Sequence, residues 1–215
     1  MERARVGILG SAMVGRALAR GFAGRGHDVR IGSRSPDKLA GFAAEAGVGT
    51  GTFEEVAEHG ELVVIATLGA GAEEAVALAG PERLAGKVLI DTTNPLAPSS
   101  GGPPGLFVGW DDSLGERIQR AAPDARVVKC FNTVSAPAMV DPSFEGGPPD
   151  MFIAGDDPAA KATVTGLLND FGWPSVIDTG GIEGARLLEP LTILWVVVGL
   201  RRGAWDHAFK VVAGA

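Results

Sequence analysis

Three groups of residues have the types and spacing to do chemistry on a phosphorylated cofactor. Gly10, Ala12 and Gly15, in "VGILGSAMVGRALARGF", fall on a G-x-G-x-x-G frame with alanine in the middle place. A strand pattern precedes them and a helix pattern follows. In that setting a glycine turn offers free amides at a helix N-terminus, where the helix dipole favours a pyrophosphate. Gly10 permits the tight turn and Gly15 lets the helix pack closely on the strand. Ala12 adds one methyl, which an unexceptional backbone angle can hold. The second group is Ser33, Arg34 and Lys38 in "IGSRSPDKL", with Ser33 standing 18 residues after Gly15. An NAD-selective site presents Asp or Glu about 20 residues past the glycines, to bond the ribose 2′-hydroxyl. No carboxylate stands at this tip; Asp37 comes later, inside the next helix pattern. A hydroxyl, a guanidinium able to make a bidentate charge-assisted contact and a lysine one turn on suit a 2′-phosphate instead. The expected cofactor is NADP(H). Ser35-Pro36 carry a local reading as well, a helix N-cap followed by proline at the first helical position. The third group is Thr67, Asn94 and Asn132. Each stands at the carboxyl end of a candidate strand, where open α/β sheets bind ligands. Asn94 before Pro95 can also be read as a turn former, and Asn132 as a loop closed by side chain–backbone bonds.

No proton relay accompanies these groups, and no catalytic residue is assigned. The chain has no tyrosine, which excludes the Tyr/Lys pair of short-chain dehydrogenases. His207, in "WDHAFK", has two readings, a structural or surface residue and a neighbour of the acceptor. The three histidines are far apart and Cys130 is the single cysteine, so no internal disulfide is possible and a metal site has no support.

Positioning such groups requires a sheet with helices around it. Strand patterns run over Ala4–Leu9, Asp28–Gly32, Leu62–Thr67, Val88–Asp91, Val127–Cys130, Met151–Ala154 and Ser175–Asp178. Helix patterns run over Met13–Gly24, Pro36–Ala46, Phe53–His59, Glu73–Ala79, Leu114–Ala122 and Pro158–Phe171. The alternation predicts an α/β fold, a Rossmann-type doubly wound, mainly parallel sheet. Short strands that are apolar throughout fit a sheet covered on both faces. After Gly184, Leu187, Leu188, Leu191, Leu194, Trp195 and Val198 recur at helical spacing, predicting a small C-terminal helical portion. Residues 1–180 are therefore expected to form the NADP-binding domain. Residues 181–215 should form a helical segment that completes the acceptor pocket, adds to the core or pairs two subunits. A core or interface role for Leu187, Leu191, Leu194 and Trp195 is favoured over ligand contact, and a homodimer is expected. The Gly/Pro-rich stretches Asn94–Trp110 and Glu145–Asp150 can be neither helix nor central strand. They are read as surface loops or as lids over a site.

Composition narrows the partners. A net charge of −7 argues against nucleic acid and anionic membrane. The apolar run Leu191–Leu200 is far below the roughly 20 residues of a membrane span. The start, from Met1 to Gly7, lacks the basic and long apolar regions of a signal peptide. A cytoplasmic protein acting on a small-molecule acceptor is the resulting expectation.

The stretches "ILGSAMVGRAL", "IGSRSPDKL", "DTTNPL", "VVKCFNTV", "FIAGDDPAAK" and "DTGGIEGARLLEPL" resemble the coenzyme F420-dependent NADP oxidoreductase family. They are similar, too, to the reductase domains of membrane ferric reductases, and the resemblance runs in register over nearly the whole chain. It implies a Rossmann domain with NADPH across the strand ends and a deazaflavin or flavin ring stacked near the nicotinamide. It implies a pyrophosphate loop of Gly10, Ser11, Ala12, Met13, Val14 and Gly15, and a 2′-phosphate cluster of Ser33, Arg34 and Lys38. Thr67 and Leu68 would end the third strand and line the cofactor. Asn94 and Pro95, with Asn132 and Thr133, would flank the nicotinamide. The chain departs from the family at Ala12, at Met13 where relatives often have asparagine, and in the long loop after Asn94. It also has Asn132 where some archaeal members have histidine. These differences bear on the acceptor more than on the cofactor.

Hydride transfer between two aromatic rings asks for orientation and exclusion of water, with little acid–base help. The missing relay therefore fits a deazaflavin or flavin partner, such as coenzyme F420, better than a carbonyl. Two other readings remain open at this stage, an NADPH-dependent reductase of an imine, carbonyl or quinone, and a non-catalytic NADP(H) sensor.

Overall fold

β-Branched and leucine-rich runs become strands wherever both of their faces can be covered. In the computed structural model, which describes residues 3–214, this happens six times in one parallel sheet. Met1, Glu2 and Ala215, the outer limits of the two expected segments, lie outside the described residues. The sheet contains β1 (Arg5–Leu9), β2 (Asp28–Gly32), β3 (Gly49–Gly51), β4 (Leu62–Ile65) and β5 (Val88–Asp91). After a short antiparallel hairpin, β6 (Leu96–Ala97) with β7 (Gly105–Leu106), it is completed by β8 (Arg126–Lys129). The strand order β3-β2-β1-β4-β5-β8 reverses beside β1, as in doubly wound dinucleotide-binding sheets.

Alternate side chains of each strand feed two cores. Ile8, Ile31, Val64, Ile90 and Val128 pack beneath α1 (Met13–Gly24), α2 (Ala40–Ala46) and α7 (Pro158–Asp170), together with Phe22 and Trp173. Leu9, Val63, Ile65, Leu89 and Val127 pack beneath α3 (Phe53–His59), α4 (Ala72–Ala79) and α6 (Leu114–Ala121). A short α5 (Pro81–Leu84) follows α4. Local chemistry sets several helix starts. Thr52 and Glu55 form a reciprocal capping box at α3, and Ser113 and Asp157 cap α6 and α7.

The structure corrects the sequence expectations in several places. Met151–Ala154 and Ser175–Asp178 do not extend the main sheet. As β9 (Asp150–Ile153) and β10 (Ser175–Asp178) they form a separate parallel pair, linked to β8 by an antiparallel bridge between Lys129 and Ala154. β4 stops at Ile65, so Thr67 and Leu68 follow the strand instead of ending it. The expected helix over Pro36–Ala46 divides into a 3₁₀ turn, Pro36–Leu39, and α2. Pro36 does take the first position, but Ser35 makes no side-chain cap; its backbone N–H donates to the Ser33 hydroxyl. β3 went unforeseen because Gly49-Thr50-Gly51 has no apolar pattern. The Asn94–Trp110 stretch folds into the β6–β7 hairpin.

The last helix, α8 (Ala185–Arg202), meets residues at and past the carboxyl ends of β5 and β8 through Leu188, Glu189 and Thr192. Among the described residues, no helix is long and apolar enough to cross a membrane.

Candidate active site

The turn after β1 opens a cleft of about 400 Å³ at the carboxyl ends of the central strands. Gly10 has φ +125°, and a β-carbon there would run into the carbonyl of Ala66. A β-carbon on Gly15 would run into the carbonyl of Gly10. Both glycines are therefore needed for close approach. Ala12 sits at φ −81°, ψ −167°, extended backbone that any residue adopts, so alanine replaces the middle glycine without strain. No side chain caps α1, and its first turn carries no carboxylate. Its leading amides and its dipole are free to hold an anion.

Seven of the residues expected from sequence line this one cleft: Gly10, Ser11, Ala12, Ser33, Arg34, Thr67 and Leu68. Thr67 carries a buried hydroxyl oxygen without a hydrogen-bond partner, a polar group placed for a ligand. Ser33 accepts the Ser35 N–H at 3.1 Å, which leaves its own proton to donate. Arg34 is exposed, and its guanidinium lies 3.9 Å from Glu74 on the opposite side of the cleft. Met13, Val14 and Gly15 form the first turn of α1, with Met13 exposed. Lys38 is exposed on the 3₁₀ turn and is not part of the cleft lining. Phe53, Ala70, Gly71 and Glu74 also line the cleft, and the sequence singled out none of them.

Asn94, Pro95, Asn132 and Thr133 gather past the ends of β5 and β8, outside that lining. The Asn94 amide donates to the Asn132 carbonyl at 2.8 Å, and the Asn132 amide donates to Asn94 Oδ1 at 3.1 Å. The Asn132 amide also reaches the Leu188 carbonyl at 2.7 Å and Thr192 Oγ1 at 3.1 Å, both on α8. The Thr192 hydroxyl lies 2.7 Å from Asn94 Oδ1. The side-chain bonds of the two asparagines are therefore not local: they tie the two loops to each other and to α8, across 38 to 98 residues of sequence. Asn132 and Thr133 are buried, whereas Asn94 is half-buried and keeps one amide proton free of these bonds.

Beneath this cluster is a charged group that sequence reasoning missed. Lys129 Nζ lies 2.8 Å from Asp91 Oδ2 and 2.7 Å from Glu189 Oε1, and all three side chains are fully buried. Glu189 also accepts the N–H groups of Leu114 and Gly115 at 2.9 Å each, using the open end of α6. Asp91 accepts the N–H and hydroxyl of Thr93. Burial alone pushes the Lys129 ammonium down, but the two adjacent carboxylates outweigh it and hold it above the ordinary lysine value. The signal was present in sequence as charged residues inside apolar patterns: Asp91 in "VLID", Lys129 in "RVVKC" and Glu189 in "ARLLEPL".

His207 belongs to the structural reading. Its ring stacks on Trp195 with centroids 4.9 Å apart, and Nε2 pairs with the Trp195 carbonyl at 2.9 Å. The Trp195 indole N–H returns a bond to the His207 carbonyl, so the residues after α8 are clasped onto the helix.

A Rossmann sheet, an uncapped glycine turn and a carboxylate-free second-strand tip define the class: a dinucleotide-binding oxidoreductase fold with a site suited to NADP. The model of the family "NADP oxidoreductase coenzyme F420-dependent" matches residues 5–95. The chain belongs to this family and is an NADP-dependent oxidoreductase. It is 33% identical to the F420-dependent NADP reductase of Methanothermobacter marburgensis, over 98% of each chain. It is 34% identical to the metalloreductase STEAP3 of Rattus norvegicus over 90% of its own length, but spans only 38% of that protein. Among solved structures, a candidate F420-dependent NADP-reductase from Arthrobacter sp. FB24 superposes with a TM-score of 0.94 at 42% identity. That match covers 98% of this chain and 100% of the other. An imine reductase from Aspergillus terreus, solved with NADPH4, superposes with a TM-score of 0.67 at 22% identity, covering 94% of this chain and 64% of the other. At that identity it supports the fold alone.

Proposed function

We propose that this chain transfers hydride between NADPH and a deazaflavin, coenzyme F420, or a flavin-like acceptor. In this reading the 10–15 turn holds the pyrophosphate, and Ser33 and Arg34 hold the 2′-phosphate. Lys38 adds positive potential from outside the cleft. Thr67 and Leu68 line the middle of the cofactor, and Asn94, Pro95, Asn132 and Thr133 stand at its nicotinamide end. The observation that carries the cofactor assignment is one cleft joining an uncapped helix terminus to a guanidinium tip with no carboxylate at the end of its strand.

Bound NADPH supplies the hydride. The protein's part is to orient and to keep water away. The polar groups at the nicotinamide end are amides and a hydroxyl bonded among themselves, and none is a free acid or base. Such a wall can fix a ring and cannot readily protonate a carbonyl product. That favours a ring-to-ring transfer, in keeping with the reductase names of the full-length relatives. The test is NADPH oxidation at fixed pH with coenzyme F420, FMN, FAD, an imine, a simple carbonyl and a quinone offered in turn. Turnover is expected with the deazaflavin or a flavin. Turnover confined to the imine, carbonyl or quinone would overturn the acceptor assignment.

We also infer a homodimer built on α8. Leu188 is buried, but Leu187 and Leu194 on the adjoining face are 66% and 51% exposed, with Leu191 and Val198 half-buried between and beyond them. An apolar stripe with this i, i+4, i+7, i+11 spacing is suited to pairing. Sedimentation velocity at micromolar concentration should give twice the chain mass; a monomer would contradict the interface. We place the activity in the cytoplasm, where NADPH is supplied, and fractionation of the source cells is the check.

A further inference from the structure

Glu74 is not explained by the cofactor reading. It stands in the first turn of α4, where a carboxylate suits the helix dipole, but Glu73 beside it meets that need as well. Unlike Glu73, Glu74 faces the cleft, and its Oε2 lies 3.9 Å from the Arg34 guanidinium. It also lines, with Ser33 and Arg34, a second recess of about 390 Å³ that adjoins the cleft. Both side chains are largely exposed, so the pair contributes little to folding. Its position gives it another consequence. A 2′-phosphate carries a charge of about −1.5 to −2 at pH 7. Seated on Ser33 and Arg34, it would meet a carboxylate already claiming the same guanidinium.

We propose that Glu74 is a specificity-determining residue, an internal competitor for Arg34 that weakens the grip on the 2′-phosphorylated cofactor and speeds its release. The inference rests on the 2′-phosphate reading of Ser33 and Arg34. NADH has a hydroxyl in place of the phosphate, so it leaves the Arg34–Glu74 pair undisturbed and feels no comparable repulsion. Glu74 therefore narrows the preference for NADPH over NADH below what the cationic tip alone would give. An oxidoreductase that must discharge NADP⁺ after each turnover gains a faster exchange of cofactor in return.

The test is titration of NADPH and NADH, followed by nicotinamide fluorescence, with the wild-type chain and with Glu74→Gln, Glu73→Gln and Arg34→Ala. Glu74→Gln should tighten NADPH about three- to tenfold, mainly through slower dissociation. NADH should change by less than about 1.5-fold, since a neutral hydroxyl gains little from removing the carboxylate. Glu73→Gln should leave both cofactors unchanged, separating a contact at Arg34 from a general loss of negative charge. NADPH unchanged or weakened by Glu74→Gln, or NADH tightened equally, would overturn the inference. Arg34→Ala separates the two levels of the argument. If it leaves the preference between the cofactors intact, the clamp reading itself fails. If it abolishes the preference while Glu74→Gln moves nothing, only the role of Glu74 fails.

Discussion

Arg34→Ala is expected to weaken NADPH binding about 10- to 100-fold and NADH binding by less than about threefold. A hydrogen bond to a charged group contributes about 1.5–3 kcal/mol, and each 1.4 kcal/mol is tenfold in affinity. Arg34 would make the one bidentate, doubly charged contact at the tip. Ser33 offers a single neutral hydroxyl, and Lys38 stands outside the cleft lining. Neither replaces a planar guanidinium, so the loss falls on the phosphorylated cofactor. Fluorescence titration of the two cofactors measures the difference directly. Equal losses for both would assign Arg34 to the adenine or the shared ribose and remove the 2′-phosphate from this tip.

The second large effect is on stability. Lys129→Met should destabilise the fold by about 3–5 kcal/mol, because it leaves Asp91 and Glu189 buried without their counter-ion. Methionine nearly fills the volume, so little of the loss comes from a cavity. For a chain of this size each kcal/mol lowers Tm by about 2–4 °C, which puts the expected shift at about 6–20 °C. Adding Glu189→Gln to Lys129→Met should recover part of the loss, since one of the two stranded charges is gone while the amide oxygen can still accept from α6. Thermal unfolding of the single and double variants gives the coupling. A drop below about 2 °C for Lys129→Met would mean that the cluster tolerates a stranded carboxylate pair and does not secure α8.

What could be read from sequence, and what could not, divides by range. The glycine turn and the Ser33–Arg34 tip are local. Each lies on its own strand–turn–helix unit, after β1 and after β2, and within each unit neighbours in sequence are neighbours in the cleft. The six parallel strands were legible except β3, whose Gly49-Thr50-Gly51 carries no apolar signature and is a strand only because β2 lies beside it. The roles of Asn94 and Asn132 were left open for a physical reason: their partners come from α8, 56 to 98 residues away. The same distance hid the Lys129 cluster, where the counter-ions lie 38 and 60 residues from the lysine. Glu74 was invisible for another reason. A glutamate near a helix start is unremarkable in sequence, and only the closing of the cleft sets it opposite Arg34.

The clasp of His207 on Trp195 carries the following residues back toward β9. There the Asp150 N–H donates to the Phe209 carbonyl, and the Asp150 carboxylate accepts the N–H of Val211. β9 pairs with β10 along one side, and on its other side, among the described residues, the bridge from Ala154 to Lys129 alone joins it to the main sheet. The opening residue of that bare side would otherwise present an unpaired donor, the kind of border along which separate chains can add strand to strand. By folding back to occupy it, the C-terminal segment helps keep a two-stranded ribbon from recruiting strangers.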